Sequence, residues 1–223
     1  MTYLQCIDLL QSHAERDFAD FQKHLIFTER EILGVRTPIL RKIAKQYMSD
    51  IKDILAFPDE YYEVVFIKLT QVSLLPYEQF LLHLDKCVAW MDNWALCDTF
   101  KNKNIAKHKE DFLPVLTNIF DRGGEYEQRY PLVVLLSEYV EKNYLDTIER
   151  FIEKADTSCY YVHMAVAWLL AEIFIKEYDA GITILEKRLT DVKTHNKAIQ
   201  KAIESYRLTK GQKDFLRSLK IRN

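Results

Sequence analysis

Apolar residues recur three and four positions apart along almost the whole chain, the period that lines one face of an α-helix. Leu132, Leu135, Leu136 and Tyr139 form one such stripe, and Val162, Ala165, Val166, Leu169 and Ile173 another. No segment alternates apolar and polar residues for long enough to predict a strand. Helix starts are marked by Thr37-Pro38 and Leu75-Pro76, which set a proline near the first helical position. N-cap residue types stand at Asp59, Asn93, Thr194 and Thr209. Roughly a dozen short helices joined by short connections are expected.

Pro38, Pro76 and Pro114 follow one another at intervals of 38 residues. In that register Ile39, Tyr77 and Val115 follow the proline, and Ile43, Leu81 and Ile119 lie five residues after it, all of them apolar or aromatic. A period of about 40 residues built from helix pairs is the habit of HEAT and armadillo units, which stack so that each buries its neighbour's apolar face. The expected fold is therefore all-α, an α-solenoid of HEAT-like helix-pair repeats forming one domain over residues 1–223, curved so that it has a concave face. Pro131 falls inside a helix expected over 125–141, where it removes one backbone hydrogen bond and frees the Glu127 carbonyl. A kink there suits a curved stack.

Composition narrows the classes further. A chain of 223 residues that is 48% hydrophobic can bury a core, and five Gly with five Pro are too few for a collagen-like or turn-rich all-β protein. No apolar run approaches the roughly 20 residues of a membrane span. The opening MTYLQCIDLLQSHAERD meets acidic residues too early for a secretory signal. Cys6, Cys87, Cys97 and Cys159 show no CxxC spacing and are expected as buried thiols of a cytoplasmic protein.

The net charge of −2 speaks against a nucleic-acid binder, but it averages over three basic clusters. Arg36, Arg41, Lys42 and Lys45 form one, and Lys101, Lys103, Lys107 and Lys109 a second, neither containing an acid. From Lys187 to the C-terminus eleven basic residues face three acids. Such runs are usually solvated helix faces, yet three of them leave an anionic partner open.

Candidate chemistry is sparse. The six His form no HxxxH or HExxH pair, and Gly123-Gly124 lacks the context of a phosphate-cradling loop, so neither metal nor cofactor is expected. Cys97 has no His neighbour to activate it. Three segments stand out. In Asn93-Trp94-Ala95-Leu96-Cys97-Asp98, Trp94 and Asp98 share a helix face one turn apart. In Tyr126-Glu127-Gln128-Arg129-Tyr130 an arginine enters an apolar helix, and Trp168 lies in the most hydrophobic helix, which begins Tyr160-Tyr161-Val162-His163. Each also has a plain structural reading. Trp in an apolar helix is core more often than site, and Asp98 with Arg129 would equally make a buried ion pair.

Five pieces taken in order resemble the AlkD-like DNA alkylation repair family of HEAT-like-repeat proteins, over the chain from about Ile32 onward. They are Ile32-Leu33-Gly34-Val35-Arg36-Thr37-Pro38 with Arg41; Asn93 to Asp98; Glu127-Gln128-Arg129; Tyr160 to Trp168; and Thr194-His195-Asn196-Lys197-Ala198-Ile199-Gln200-Lys201. The resemblance implies that Trp94, Asp98, Arg129 and Trp168 converge on a concave, DNA-facing surface. It also implies hydrolysis of the N-glycosidic bond of alkylated purines such as 3-methyladenine and 7-methylguanine. The implied partner is double-stranded DNA containing alkylated bases, met by a monomer. Arg36, Thr37, Arg41, Lys197 and Lys201 fit as phosphate contacts along the groove.

The residue types suit that reaction. Glycosidases usually need one carboxylic acid to protonate the leaving group and a second carboxylate besides. A cationic purine needs no such proton, so one carboxylate suffices. Asp98 would stabilise the oxocarbenium-like sugar and hold water. Trp94 and Trp168 would offer negative ring faces to the cation, about 0.5–2 kcal/mol each, and Arg129 would grip a phosphate. Two features depart from the pattern: the region before Ile32 does not align, and Ser137, Glu138 and Glu141 stand where more basic residues belong. A DNA-structure-binding member without catalysis, and a HEAT scaffold for a protein partner, remain the alternatives.

Overall fold

Helical periodicity holds throughout the described residues, 1–222 of a computed structural model. Fourteen α-helices form there, and the only extended pairing among them is an isolated parallel bridge between Glu31 and Tyr61. They gather into two compact units, Met1–Ile105 and Ala106–Asn223. The first holds α1 (Tyr3–Gln11), α2 (Arg16–Leu25), α3 (Thr37–Gln46), α4 (Ile51–Leu55), α5 (Tyr62–Ser73), α6 (Tyr77–Ala89) and α7 (Trp94–Thr99). The second holds α8 (Lys109–Phe120), α9 (Glu125–Val134), α10 (Leu145–Lys154), α11 (Tyr160–Lys176), α12 (Tyr178–Glu186), α13 (Val192–Glu204) and α14 (Lys210–Ser218).

The first unit is built on α5, which is apolar on nearly every side and packs against α3, α4, α6 and α7. A helix buried all round must satisfy its few polar side chains internally. Glu63, near its start, accepts the N–H groups of Leu33, Gly34 and Val35 at 3.1, 2.8 and 3.3 Å, just before α3 begins. Gln71, near its end, donates to the carbonyls of Ala44 and Tyr47, where α3 ends. The two helices therefore run parallel. Lys68, fully buried, donates to the Phe57 carbonyl and to Asp59, whose other oxygen accepts the Trp90 indole N–H at 2.7 Å.

In the second unit α11 is central and packs on α9, α12 and α13. Glu125 at the start of α9 accepts the N–H of Tyr161 at the start of α11, and His163 one turn along α11 bonds Thr194 near the start of α13. At the other end Arg207, just past α13, pairs with Glu172 of α11. Helices α9, α11 and α13 thus form one parallel layer. Tyr144 with Glu110 and Phe120 with Phe151 align α8 and α10 in the same way in a second layer. Helix pairs stacked in two layers are the local grammar of an α-solenoid.

Several expectations need correcting. Pro38 is the second residue of α3, Pro76 caps α6 and Pro114 lies inside α8, so the 38-residue spacing does not mark equivalent positions. Asn93 and Thr209 are N-caps, whereas Asp59 lies in a loop with its carboxylate on Lys68 and Trp90. The cap of α13 is Asp191, and Thr194 is the N-H donor to it. Pro131 lies inside α9, and the expected continuation to 141 becomes a π-helix at Leu135–Tyr139. Cys159 is half-exposed, unlike the other three thiols.

Candidate functional site

In the first unit α7 carries two of the singled-out residues. Asn93, fully buried, accepts the Leu96 N–H at 3.1 Å and donates to Asp92 at 2.7 Å, so the helix start is fixed from both sides. Leu96 and Cys97 turn into the core. Four-residue spacing then puts Trp94 and Asp98 together on the outer face. Trp94 is 36% exposed, with its indole N–H on the Leu25 carbonyl at 3.0 Å, and Asp98 is half-buried one turn later.

The Ile32–Pro38 motif forms the turn into α3. Gly34 has φ +87°, and a Cβ there would lie 2.3 Å from the Glu15 carbonyl oxygen and 2.7 Å from the Ala19 nitrogen, so only glycine fits. Arg36 is the N-cap, but its guanidinium lies on the Glu15 carboxylate, with Nη2 at 2.8 Å and Nε at 3.1 Å, and over the Phe18 ring at 4.2 Å. That pairing lowers the Glu15 pKa and raises that of Arg36. Thr37 is half-buried at the first helical position, and Arg41 is exposed one turn on.

In the second unit Arg129 is 5% exposed and donates from Nη1 to the Tyr161 carbonyl at 2.7 Å, with its guanidinium 5.7 Å from that tyrosine's ring. It therefore ties α9 to the first turn of α11. Trp168, seven residues after Tyr161 and so on the same face of α11, is 38% exposed.

On α13, Lys197 and Lys201 are half-buried, one turn apart, and Lys193 extends the stripe by another turn. His163, 1% exposed, bonds the Thr194 hydroxyl through Nδ1 at 2.7 Å. Burial lowers its pKa, and Lys193, Lys197 and Lys201 lower it further against Asp191. Burial also opposes ionisation of Asp191, but hydrogen bonds from the Thr194 side chain and backbone, Thr157 and the Lys193 N–H bring its pKa to about 2. Among the described residues no three His, Cys, Asp or Glu side chains converge as a metal site would need, and no helix is long and apolar enough to cross a membrane.

Residues 6–206 match the family model described as DNA alkylation repair enzyme. The chain belongs to the DNA alkylation repair enzyme family. The match begins well before Ile32, so α1 and α2 are part of the family fold although their residues carry no legible motif. It ends before α14. No curated protein is significantly similar to the chain. Family membership gives the protein a role in repair of alkylated DNA, as an enzyme.

Within that family fold, Trp94 and Asp98 belong to the first unit, Arg129 and Trp168 to the second. Sequence reasoning missed three residues that bear on these candidates. Glu63 holds the Leu33–Val35 turn from about 30 residues away, where no local signal exists. Tyr161 positions the Arg129 guanidinium through a backbone carbonyl, which no side-chain motif reveals. Lys193 was visible in the four-residue spacing it shares with Lys197 and Lys201.

Proposed function

We propose that this family member is a DNA glycosylase that hydrolyses the N-glycosidic bond of cationic alkylated purines, such as 3-methyladenine and 7-methylguanine, in duplex DNA. The observation that carries the reading is the outer face of α7, where a partly exposed indole and the half-buried Asp98 stand one turn apart on a helix fixed by its buried cap. The C1′–N bond breaks with its electron pair passing to the base, which leaves neutral. Asp98 stabilises the positive charge left on the sugar and orients the water that adds to C1′, whose proton goes to the carboxylate or to solvent. Trp94 faces the cationic nucleotide, and the energy of that contact rises as water is excluded.

In the second unit, Trp168 presents a further ring face, and Lys193, Lys197 and Lys201 supply phosphate contacts that position the duplex without reading sequence. Arg129 enters this reading as a positioning residue: it sets the first turn of α11, two turns before Trp168. Incubating the protein with duplex bearing 7-methylguanine or 3-methyladenine and measuring free base tests the proposal. Release that depends on Asp98 supports it, and wild-type protein that releases nothing sinks it. Binding without excision is the second reading, favoured by the half-buried position of Asp98, which a structural carboxylate would share. The same assay, run beside duplex binding, separates the two.

A further inference from the structure

Helices α4 and α6 of the first unit leave an open groove of about 510 Å³ between them. Its floor is aliphatic, made by Ile51 and Leu55 on α4, Leu75 just before α6, and Leu82 on α6. Leu82 is 83% exposed, Ile51 and Leu55 are half-buried, and Leu75 is buried. Gln79, Leu82, His83 and Lys86 recur at the spacing of one helix face, so α6 turns them toward the groove as a set. A lone exposed leucine needs no explanation. This one borders an aliphatic hollow that the chain itself leaves open. The walls add charge of one sign. Lys52 on α4 and Lys86 on α6 are both exposed, and no acidic residue lines the groove with them. Among the described residues neither lysine is paired with a carboxylate. The Lys86 ammonium is nevertheless held in place, 3.5 Å from the Leu55 carbonyl oxygen and 5.0 Å from the centre of the Trp90 ring.

We propose that this groove docks an acidic amphipathic helix of another protein, whose apolar side chains enter beside Leu82 and whose carboxylates meet Lys52 and Lys86. Charge complementarity selects the occupant. An aliphatic floor with an unpaired cation on each wall is the counterpart of a helix whose apolar stripe is flanked by Asp and Glu. A small-molecule site would need convergent polar groups to fix its ligand, and the floor supplies none. Nucleic acid would find neither an aromatic platform for its bases nor a row of donors for its phosphates. Two lysines are also fewer than the roughly four to eight that hold a basic patch on an anionic membrane. The fixed Lys86 ammonium favours docking, since a side chain already held in place loses little freedom on binding. The groove shares no lining residue with the Trp94 and Asp98 face of α7, so the proposal stands whether or not the chain excises bases.

The test selects binders of the full chain from a display library of random helix-forming peptides, with the Leu82→Gln chain as counter-selection. Enriched peptides should carry apolar residues three and four positions apart with Asp or Glu beside them. A synthesised one should bind wild type in fluorescence anisotropy, with an affinity that falls as salt rises. Leu82→Gln should weaken it roughly 10-fold or more, the scale of a lost apolar anchor. Lys52→Glu should weaken it too, and a peptide with its acids changed to lysine should bind Lys52→Glu better than wild type. Because both side chains are exposed, melting temperatures should stay within about 2 °C of wild type. If either variant fails to fold, the two peptides compared on wild type still decide: the lysine peptide should lose binding. Absence of Leu82-dependent enrichment, or enriched peptides without acids, overturns the proposal. Leu82-dependent binding of plain duplex or of phosphatidylserine vesicles in place of peptide also overturns it. Leu82-dependent self-association would give the groove to a second copy and overturn it likewise.

Discussion

Removing the Glu63 carboxylate tests how the turn into α3 is held. One oxygen accepts Gly34 and Val35 at 2.8 and 3.3 Å, the other accepts Leu33 at 3.1 Å, and the side chain is fully buried. Burial pushes the carboxyl pKa up, and the three N–H groups pull against that shift. Glu63→Ala strands the N–H groups of Gly34 and Val35 inside the protein. Each unsatisfied buried donor costs about 1–3 kcal/mol, while relief of carboxylate desolvation returns part of that. A net loss of about 3–5 kcal/mol follows, as for breaking a buried charged contact. Glu63→Gln is the sharper probe. Its amide oxygen can still serve Gly34 and Val35, but its NH2 then faces the Leu33 N–H, donor against donor. That variant should lose about 1–3 kcal/mol. Urea unfolding with m unchanged gives both values. Gln at or above wild-type stability would mean that the carboxylate does not hold the turn.

The remaining expectations are briefer. Asp98→Asn should fold normally, bind duplex at least as well, and lose base release by about 10²-fold or more; a loss of about 3–5 kcal/mol of stability without selective loss of excision would make Asp98 a structural charge. Gly34→Ala should cost roughly 1–3 kcal/mol for the positive φ alone, and more because its Cβ would meet the backbone of Glu15 and Ala19; an unchanged urea midpoint would refute the close approach. Changing Lys197 and Lys201 together to Ala should flatten the log–log salt dependence of duplex binding by about 2, near 0.9 per phosphate contact, and an unchanged slope removes them from the interface. His163, its pKa lowered from an ordinary value of about 6.5 by burial and by the nearby lysines of α13, is held neutral by the fold. Its contribution is complete above pH about 6.5 and is lost as pH falls below that through the lowered value. His163→Asn should therefore be less sensitive than wild type in urea midpoints compared at pH 7.5 and 5.5.

What could be read from the chain divides by the distance over which each interaction acts. Helices were legible because their period is written every three or four residues, and the outward face of Trp94 and Asp98 followed from the same spacing. Asn93 and Thr209 were recognisable as caps because each bonds an N–H three residues away. Thr194 and Asp59 are likewise residue types that cap helices but have other roles, since partners 31 and 9 residues away engage their oxygens. The proline register failed because proline is tolerated before a helix, in its first turn and, at a cost, inside it, so regular spacing does not imply equivalent geometry. The Tyr161 partner of Arg129 was illegible for a related reason: it is a carbonyl 32 residues away.

Helices α3, α7, α11 and α13 all carry candidate site residues, and their first turns are not equivalent electrostatically. A helix start offers unpaired N–H groups and positive potential to an anion. In α7, α11 and α13 the protein already supplies an acceptor: Asn93 takes the Leu96 N–H, Glu125 takes that of Tyr161, and Asp191 takes that of Thr194. Helix α3 begins at Arg36 with no side-chain cap. Its first turn still has little to offer an anion, because Pro38 carries no N–H and the N–H groups of Ile39 and Leu40 both donate to the Arg36 carbonyl, at 2.9 and 3.2 Å. A phosphate beside Thr37 would therefore meet one residue's N–H and hydroxyl rather than a row of backbone donors, next to a guanidinium already matched by Glu15. On α13 the cations are lysines along the helix. Asp191 occupies the helix start, so any phosphate grip there falls to Lys193, Lys197 and Lys201. A phosphate on α13 would thus be held by ammonium groups, and substitution of these lysines is the change that should weaken its grip in a salt-dependent way.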